Sequence, residues 1–334
     1  AAAILGIFPA VMVFLIARSF PQLRQWRIFG LATALILAVF AVLVVPLTQR
    51  LENNLYGAPI IQQTQSAYQR LVLTRRGNDV RLFLDGDLQF STTDEYRYHE
   101  ALVHPALTAV SNPKQVLLLG AGDGLALREV LKWDSVERVT LIELDPKVVE
   151  WAKTYPALVQ ANQDAYDDAR VEVRYGDAFQ LIAKIETQYD VIIADFPDPD
   201  RNVLAKLYSL GFYRQLQAHL SPNGVFVTQA SSPFFAPKAF SCIATTLKAT
   251  NFNVYPYMIN VPSFGPWGFV LATKTPFHPE KTNLPPLETR FLSPALFSSL
   301  FVLPKDIKLQ EVEVNSLAHP VIVNYERDRR WILY

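Results

Sequence analysis

From Gln115 onward the chain alternates short apolar runs with longer mixed stretches, and this alternation constrains the fold more than any other feature. Runs at 115–119, 138–143, 170–175, 189–194, 224–229, 253–261 and 268–273 read as strands, and helices fill most of the gaps. Alternating strands and helices predict an α/β, Rossmann-like, doubly wound sheet, mostly parallel, with ligands bound outside the carboxyl ends of the strands. Acids stand at four consecutive strand ends: Asp123, Glu143, Asp177 and Asp195. A loop position or a helix cap accounts for any one of them; four together point to a site.

The fourth strand runs straight into an acidic loop, "DVIIADFPDPD", residues 190–200. Pro197 and Pro199 prevent a helix there and stiffen the loop that carries Asp195, Asp198 and Asp200. After the first strand, "GAGDGL" places Gly120, Gly122 and Gly124 where a tight turn and a close ligand approach need glycine. Asp123 inside that turn would repel the pyrophosphate of a dinucleotide and attract a cation. Glu143, 23 positions after Gly120, is placed to accept hydrogen bonds from ribose hydroxyls, and Asp177 from the exocyclic amine of a base. These features predict a site for an adenosine with a cationic tail and no phosphates, which is the shape of S-adenosylmethionine or its decarboxylated form.

Before this region lie two uncharged apolar segments, residues 1–17 and 28–47. Because a membrane-crossing helix needs about 20 apolar residues, region 1–47 is expected to form two transmembrane helices at the end of a longer membrane region. The sequence opens on Ala inside an apolar run, which suggests a fragment or a processed chain. Arg18, Arg24 and Arg27 lie between the segments and by the positive-inside rule would put the rest of the chain outside. Residues 60–100 read as a small β-rich domain with turns at 77–79 and 85–87, residues 101–275 as the Rossmann-like domain, and 276–334 as an extension without a readable motif. Thirty-one basic residues balance 31 acidic ones, so no nucleic-acid partner is expected. The single cysteine, Cys242, excludes a disulfide framework and reads as a small buried residue.

The run "DEYRYHE" (94–100), then "LLLGAGDGLALREVL", "IELD", "YGDAF" and "ADFPDP", resembles the spermidine synthase family of polyamine aminopropyltransferases over about residues 66–273. The upstream apolar segments, with "KLYS", "SPFFAPKAF" and "VPSFGPWGF", look like its membrane-attached branch. The resemblance implies a seven-stranded methyltransferase-type sheet. It also implies transfer of the aminopropyl group of decarboxylated S-adenosylmethionine, a co-substrate, to putrescine, giving spermidine and 5'-methylthioadenosine, with no tightly bound cofactor and no metal. By the family's pattern Asp195 is the base and Tyr98 assists it. Asp198 and His99 line the amine site, Asp123 binds the donor's ammonium, and Gln69, Glu143, Asp177 and Ala178 contact the nucleoside. A homodimer is possible by the same resemblance. A cytosolic donor requires a catalytic domain facing the cytoplasm, so the expectation is a multi-pass cell-membrane protein of that orientation, against the arginine signal. Ala121, Leu125, Phe196, Pro197 and Pro266 depart from the family's usual residues, and Pro266 leaves the identity of the amine open. A methyltransferase on the same fold and a non-catalytic polyamine or nucleoside sensor are the alternatives.

Overall fold

The structure, a computed structural model, describes residues 11–12, 14–16, 20 and 24–328. It divides into two compact units, residues 1–63 with 72–77 and residues 64–71 with 78–334.

In the first unit helix α1 spans Arg24–Leu55, and strands β1 (Ile60–Gln65) and β2 (Arg70–Arg76) follow it. The Asn53 side chain accepts from the Ile60 amide at 2.9 Å, and the Arg75 amide donates to Pro59 O at 3.0 Å, tying helix end to strand and strand to strand. The apolar run 28–47 is the middle of this 32-residue helix, whose ends carry Arg24, Arg27, Arg50 and Glu52. Among the described residues no helix is long and apolar enough to cross a membrane. The expectations of transmembrane helices, a membrane partner and a multi-pass membrane location are therefore corrected. The uncharged stretch lies within one helix that begins at Arg24 and runs on to Leu55. Most of the other proposed span, residues 1–17, lies outside the described residues.

In the second unit strands β3 (Asp79–Leu84) and β4 (Asp87–Ser91) form an antiparallel hairpin. Its turn places Asp85 and Gly86 at φ 51° and 99°, the left-handed pair that Asp-Gly turns supply. Helix α2 (Glu95–Thr108) follows and leads into β5 (Gln115–Gly120), α3 (Leu125–Leu131), β6 (Arg138–Glu143), α4 (Pro146–Thr154), α5 (Pro156–Asn162) and β7 (Val171–Tyr175). Then come α6 (Ala178–Leu181), β8 (Tyr189–Asp195), α7 (Asn202–Ala205), α8 (Leu210–His219), β9 (Leu220–Gln229), α9 (Pro237–Lys248), β10 (Asn253–Val261) and β11 (Gly265–Thr273).

Strands β5 to β11 make one sheet of seven in the order β10-β11-β9-β8-β5-β6-β7. The pairs among β9, β8, β5, β6 and β7 are parallel, while β11 runs antiparallel to both β9 and β10. Val116 to Leu119 are fully buried, as a central parallel strand covered on both faces requires. Apolar clusters fill both faces: Leu117, Ile192 and Phe226 point to one, Leu118, Ile193 and Val227 to the other. From β5 the chain winds outward through β6 and β7, then returns to place β8 on the other side of β5, where Gly120 pairs with Asp195. The crevice of a doubly wound sheet opens at this reversal.

The C-terminal extension packs on this body. Helix α10 (Pro294–Leu300) buries Phe297 completely, and Phe301 lies 4.8 Å from the Tyr257 ring on β10. Glu100 on α2 accepts from the amides of Arg290, Phe291 and Leu292 at 2.6, 2.9 and 2.8 Å. Helix α11 (Ile322–Arg327) closes the described chain. Cys242 is buried and its thiol is pushed up to about 12, burial being the main cause, so it is no nucleophile.

Candidate active site

The site begins with the turn after β5. Gly120 has φ 76°, and a Cβ there would lie 2.2 Å from the Asp195 carbonyl oxygen, so only glycine lets β5 and β8 end side by side. A Cβ on Gly122 would lie 2.6 Å from Glu143 Oε2, so this glycine admits the carboxylate at the end of β6. Gly124, at φ 83°, starts α3. Ala121 occupies the left-handed region, at φ 61°, a conformation that costs a residue with a Cβ about 1–2 kcal/mol. Asp123 accepts from the Leu125 amide at 2.9 Å and so caps the start of α3 from inside the turn.

The sheet brings Asp123, Glu143 and Asp195 together, and their charges act on one another. Burial raises the pKa of all three. Asp195 reaches about 6, with His99 and the Tyr98 hydrogen bond pulling down and Asp123 pushing up. Glu143 reaches about 7 despite the Asp145 amide, which donates to its Oε1 at 2.9 Å. Asp123 is raised by burial and by Glu95, against the pull of His99 and Arg128. None of the three forms an ion pair with lysine or arginine among the described residues. Such acids have no lysine or arginine to offset their desolvation.

Tyr98 lies on α2 with its hydroxyl donating to Asp195 Oδ1 at 2.6 Å, and burial and this carboxylate raise its pKa well above the ordinary 10. His99, its neighbour, is 2% exposed, and its Nδ1 lies 2.8 Å from Glu95 O and 2.9 Å from Glu95 Oε2. Asp198 accepts from Gln229 Nε2 at 3.3 Å. Gln229, at the end of β9, also donates to Phe196 O at 2.8 Å and to the Tyr208 hydroxyl at 2.7 Å; that hydroxyl donates to Pro197 O at 3.0 Å. Two prolines alone do not hold the acid loop; Gln229 and Tyr208 complete its support. Tyr208 is itself held from behind, because buried Asn315 of the C-terminal extension donates to Tyr208 O at 3.0 Å and Ala205 O at 2.9 Å.

The remaining candidates are placed differently from one another. Gln69 donates to Asp145 Oδ2 at 3.1 Å, beside Ser66 Oγ at 2.7 Å, and so joins the Glu143 corner through Asp145. Asp177 accepts from the Phe179 amide at 3.0 Å, capping the short helix that Ala178 opens, and pairs with Lys206. Sequence reading missed Glu95, Arg128, Asp145, Tyr166, Tyr208 and Gln229. Tyr166 donates to Gly122 O at 2.7 Å and backs the glycine turn. Only Glu95 left a local signal, its spacing of four residues from His99 on one helix face.

A family model described as the spermine/spermidine synthase domain matches residues 95–282. Polyamine aminopropyltransferase 2 of Ralstonia nicotianae is 45% identical over 311 residues, covering 92% of this chain and 60% of the relative. The polyamine aminopropyltransferase of Oceanobacillus iheyensis is 43% identical over 281 residues, 83% of this chain and 55% of the relative. The chain thus spans about three fifths of the length of the curated relatives it matches. A crystal structure of spermidine synthase in complex with the transition state analogue AdoDATO superposes with a TM-score of 0.68 at 31% identity, covering 73% of this chain and 85% of that one.

Proposed function

Because the chain belongs to the spermine/spermidine synthase family, we propose that it is an aminopropyltransferase that carries the aminopropyl group of decarboxylated S-adenosylmethionine to putrescine. The observation that carries this reading is the trio Asp123, Glu143 and Asp195, acids that share one crevice with raised pKa values and no lysine or arginine ion pair. A sulfonium with a terminal ammonium and a diammonium acceptor supply the missing positive charge. Ordinary S-adenosylmethionine would bring a carboxylate to the same acids, which speaks against a methyltransferase.

In this mechanism the glycine turn and Glu143 hold the adenosine, with Glu143 on the ribose and Asp177, Ala178 and Gln69 at the nucleoside. Asp123 binds the donor's ammonium. Asp198 and His99 take the acceptor amine. Free alkyl ammonium has a pKa near 10, so about one molecule in a thousand is neutral at pH 7. Asp195, buried to a value of about 6, accepts the proton more readily than a solvated aspartate, and the Tyr98 hydroxyl orients it. The neutral amine nitrogen then attacks the carbon next to sulfur, the C–S bond breaks, and its electron pair stays on sulfur as 5'-methylthioadenosine. Spermidine leaves with the new C–N bond. A homodimer is the assembly that the family resemblance implies, and sedimentation of the purified protein reads it.

Incubation with decarboxylated S-adenosylmethionine and putrescine tests the reading. Formation of 5'-methylthioadenosine that requires the amine and is lost in Asp195→Asn is expected. S-adenosylhomocysteine from ordinary S-adenosylmethionine would replace it with the methyltransferase, and tight nucleoside binding without any product would replace it with a sensor.

A further inference from the structure

Helix α2 carries an acid that the mechanism above does not use. Glu95 is 3% exposed and lies one turn before His99. Its carboxylate takes both arms of the Arg128 guanidinium, Oε1 from one nitrogen at 2.9 Å and Oε2 from the other at 3.0 Å. The same Oε2 stands 2.9 Å from His99 Nδ1, and the Glu95 carbonyl oxygen stands 2.8 Å from it. Arg128 is fixed in turn by Glu129 Oε1 at 2.8 Å and by Ala161 O. Glu95 therefore cannot turn away, and Nδ1 faces two acceptors at once. The only state of the ring that fits has hydrogen on Nδ1. Both hydrogen bonds of the ring are made by that nitrogen, which leaves Nε2 for the crevice that contains Asp123 and Asp195.

We infer that Glu95 is a positioning residue that holds His99 in its Nδ1–H form, so that Nε2 becomes the acceptor for an ammonium group of the amine substrate, and that the amine on arrival displaces the proton Nε2 carries in the empty site. The inference rests on the aminopropyl-transfer reading for the identity of that amine. Charge and protons balance: the Nε2 proton leaves to solvent, one positive charge departs, and the ammonium N–H that arrives restores it. Nδ1 keeps its hydrogen on Glu95 throughout.

The groups that face the ring explain why a proton is there to be displaced. Burial disfavours the imidazolium, but the hydrogen bond and charge of Glu95 from its own helix outweigh it. Asp123 from the turn after β5 and Asp195 from β8 add to this, and the result is about 8. Tyr98 meets the ring edge-on at 5.1 Å and bonds Asp195, and Arg128 from α3 acts on it through Glu95. Before the amine binds, the imidazolium is the cation that faces Asp123 and Asp195. A second cation against Nε2–H would be repelled, whereas a neutral Nε2 lone pair accepts its hydrogen.

Histidine labelled with ¹⁵N and ¹³C in the full chain reads this directly by NMR. In the free protein Nδ1 should stay protonated at every pH, with Nε2 titrating near 8. Saturating putrescine together with 5'-methylthioadenosine should bring that midpoint below 7. In Glu95→Gln the side-chain amide presents N–H to Nδ1 and turns the tautomer over. The amine KM should rise about tenfold or more, the size of one lost hydrogen bond to a charged group, while the donor KM stays within about twofold. Glu95→Asp should restore the tautomer. Should the single variant fail to fold with Arg128 unpaired, Glu95→Gln with Arg128→Met removes the stranded charge. A neutral form with hydrogen on Nε2, a midpoint that putrescine leaves in place, or a Glu95→Gln variant with tautomer and amine KM unchanged would each overturn the inference. Absence of any amine-dependent methylthioadenosine would instead overturn the reaction, and the NMR readouts would still decide the role of Glu95.

Discussion

Two sets of buried carboxylates lie within a few turns of each other, and they are built in opposite ways. Glu95 and Glu129 surround Arg128, and Glu129 also takes His104 Nε2 at 2.9 Å and Lys132 at 2.8 Å. Burial works against both, yet the partners win: Glu95 is held below the usual carboxylate range and Glu129 falls to about 2. Asp123, Glu143 and Asp195 meet backbone amides, a tyrosine hydroxyl and one another, and all three rise. The difference is the presence of a guanidinium, not the depth of burial. An acid with its cation inside the fold is structural scaffolding. An acid left in the crevice without one keeps a raised pKa, and in the proposed reaction it meets a cationic substrate.

The comparison breaks most visibly at Asp195. Asp195→Asn should lower kcat by roughly 10²- to 10⁴-fold, the usual range for a lost general base, with the far-ultraviolet spectrum unchanged. A loss under about tenfold would remove Asp195 from the mechanism. In the wild type, log kcat/KM should rise with pH through about 6 as Asp195 ionises. On the other side, Arg128→Met should strand Glu95 and Glu129 and destabilise the protein by about 3–5 kcal/mol, read by urea unfolding. An unchanged midpoint would mean that the network adds nothing.

Glu143 separates the two sets by the sign of a pH effect. Its value is raised in the fold, so its ionised form costs stability above about 7, and nothing is lost below the ordinary value of 4.5, where it is neutral folded or unfolded. Glu143→Gln should therefore raise Tm by a few degrees at pH 8, give no gain near pH 4, and weaken donor binding. Glu129 behaves oppositely: its contribution is fully present above 4.5 and is lost as pH falls through about 2. The smallest effect is expected at Ala121. Ala121→Gly should relieve the left-handed strain and stabilise by about 1 kcal/mol without changing kcat.

Periodicity made the strands legible, because four to six apolar residues between polar breaks describe a buried strand and little else. β9 begins at Leu220 and β11 at Gly265, a few residues before the apolar runs that marked them, since residues 221–223 and 265–267 are less buried than the strand ends. The same reliance on apolar runs misled at the N-terminus. Residues 28–47 satisfy a length rule, yet among the described residues no helix is long and apolar enough to cross a membrane, and the stretch lies inside α1, Arg24–Leu55.

What the sequence determined by itself was the set of acids and glycines at strand ends, because strand order along the chain places every carboxyl end on one edge of a parallel sheet. What only the tertiary structure decided was which acids stand alone. Glu95 and Arg128 are 33 residues apart, Gln229 and Asp198 are 31 apart, and Ala205 and Asn315 are 110 apart. No local pattern announces such pairs. They exist because the sheet and its covering helices bring distant turns within hydrogen-bond reach, and that folding step assigns one carboxylate to an arginine and leaves the next one without.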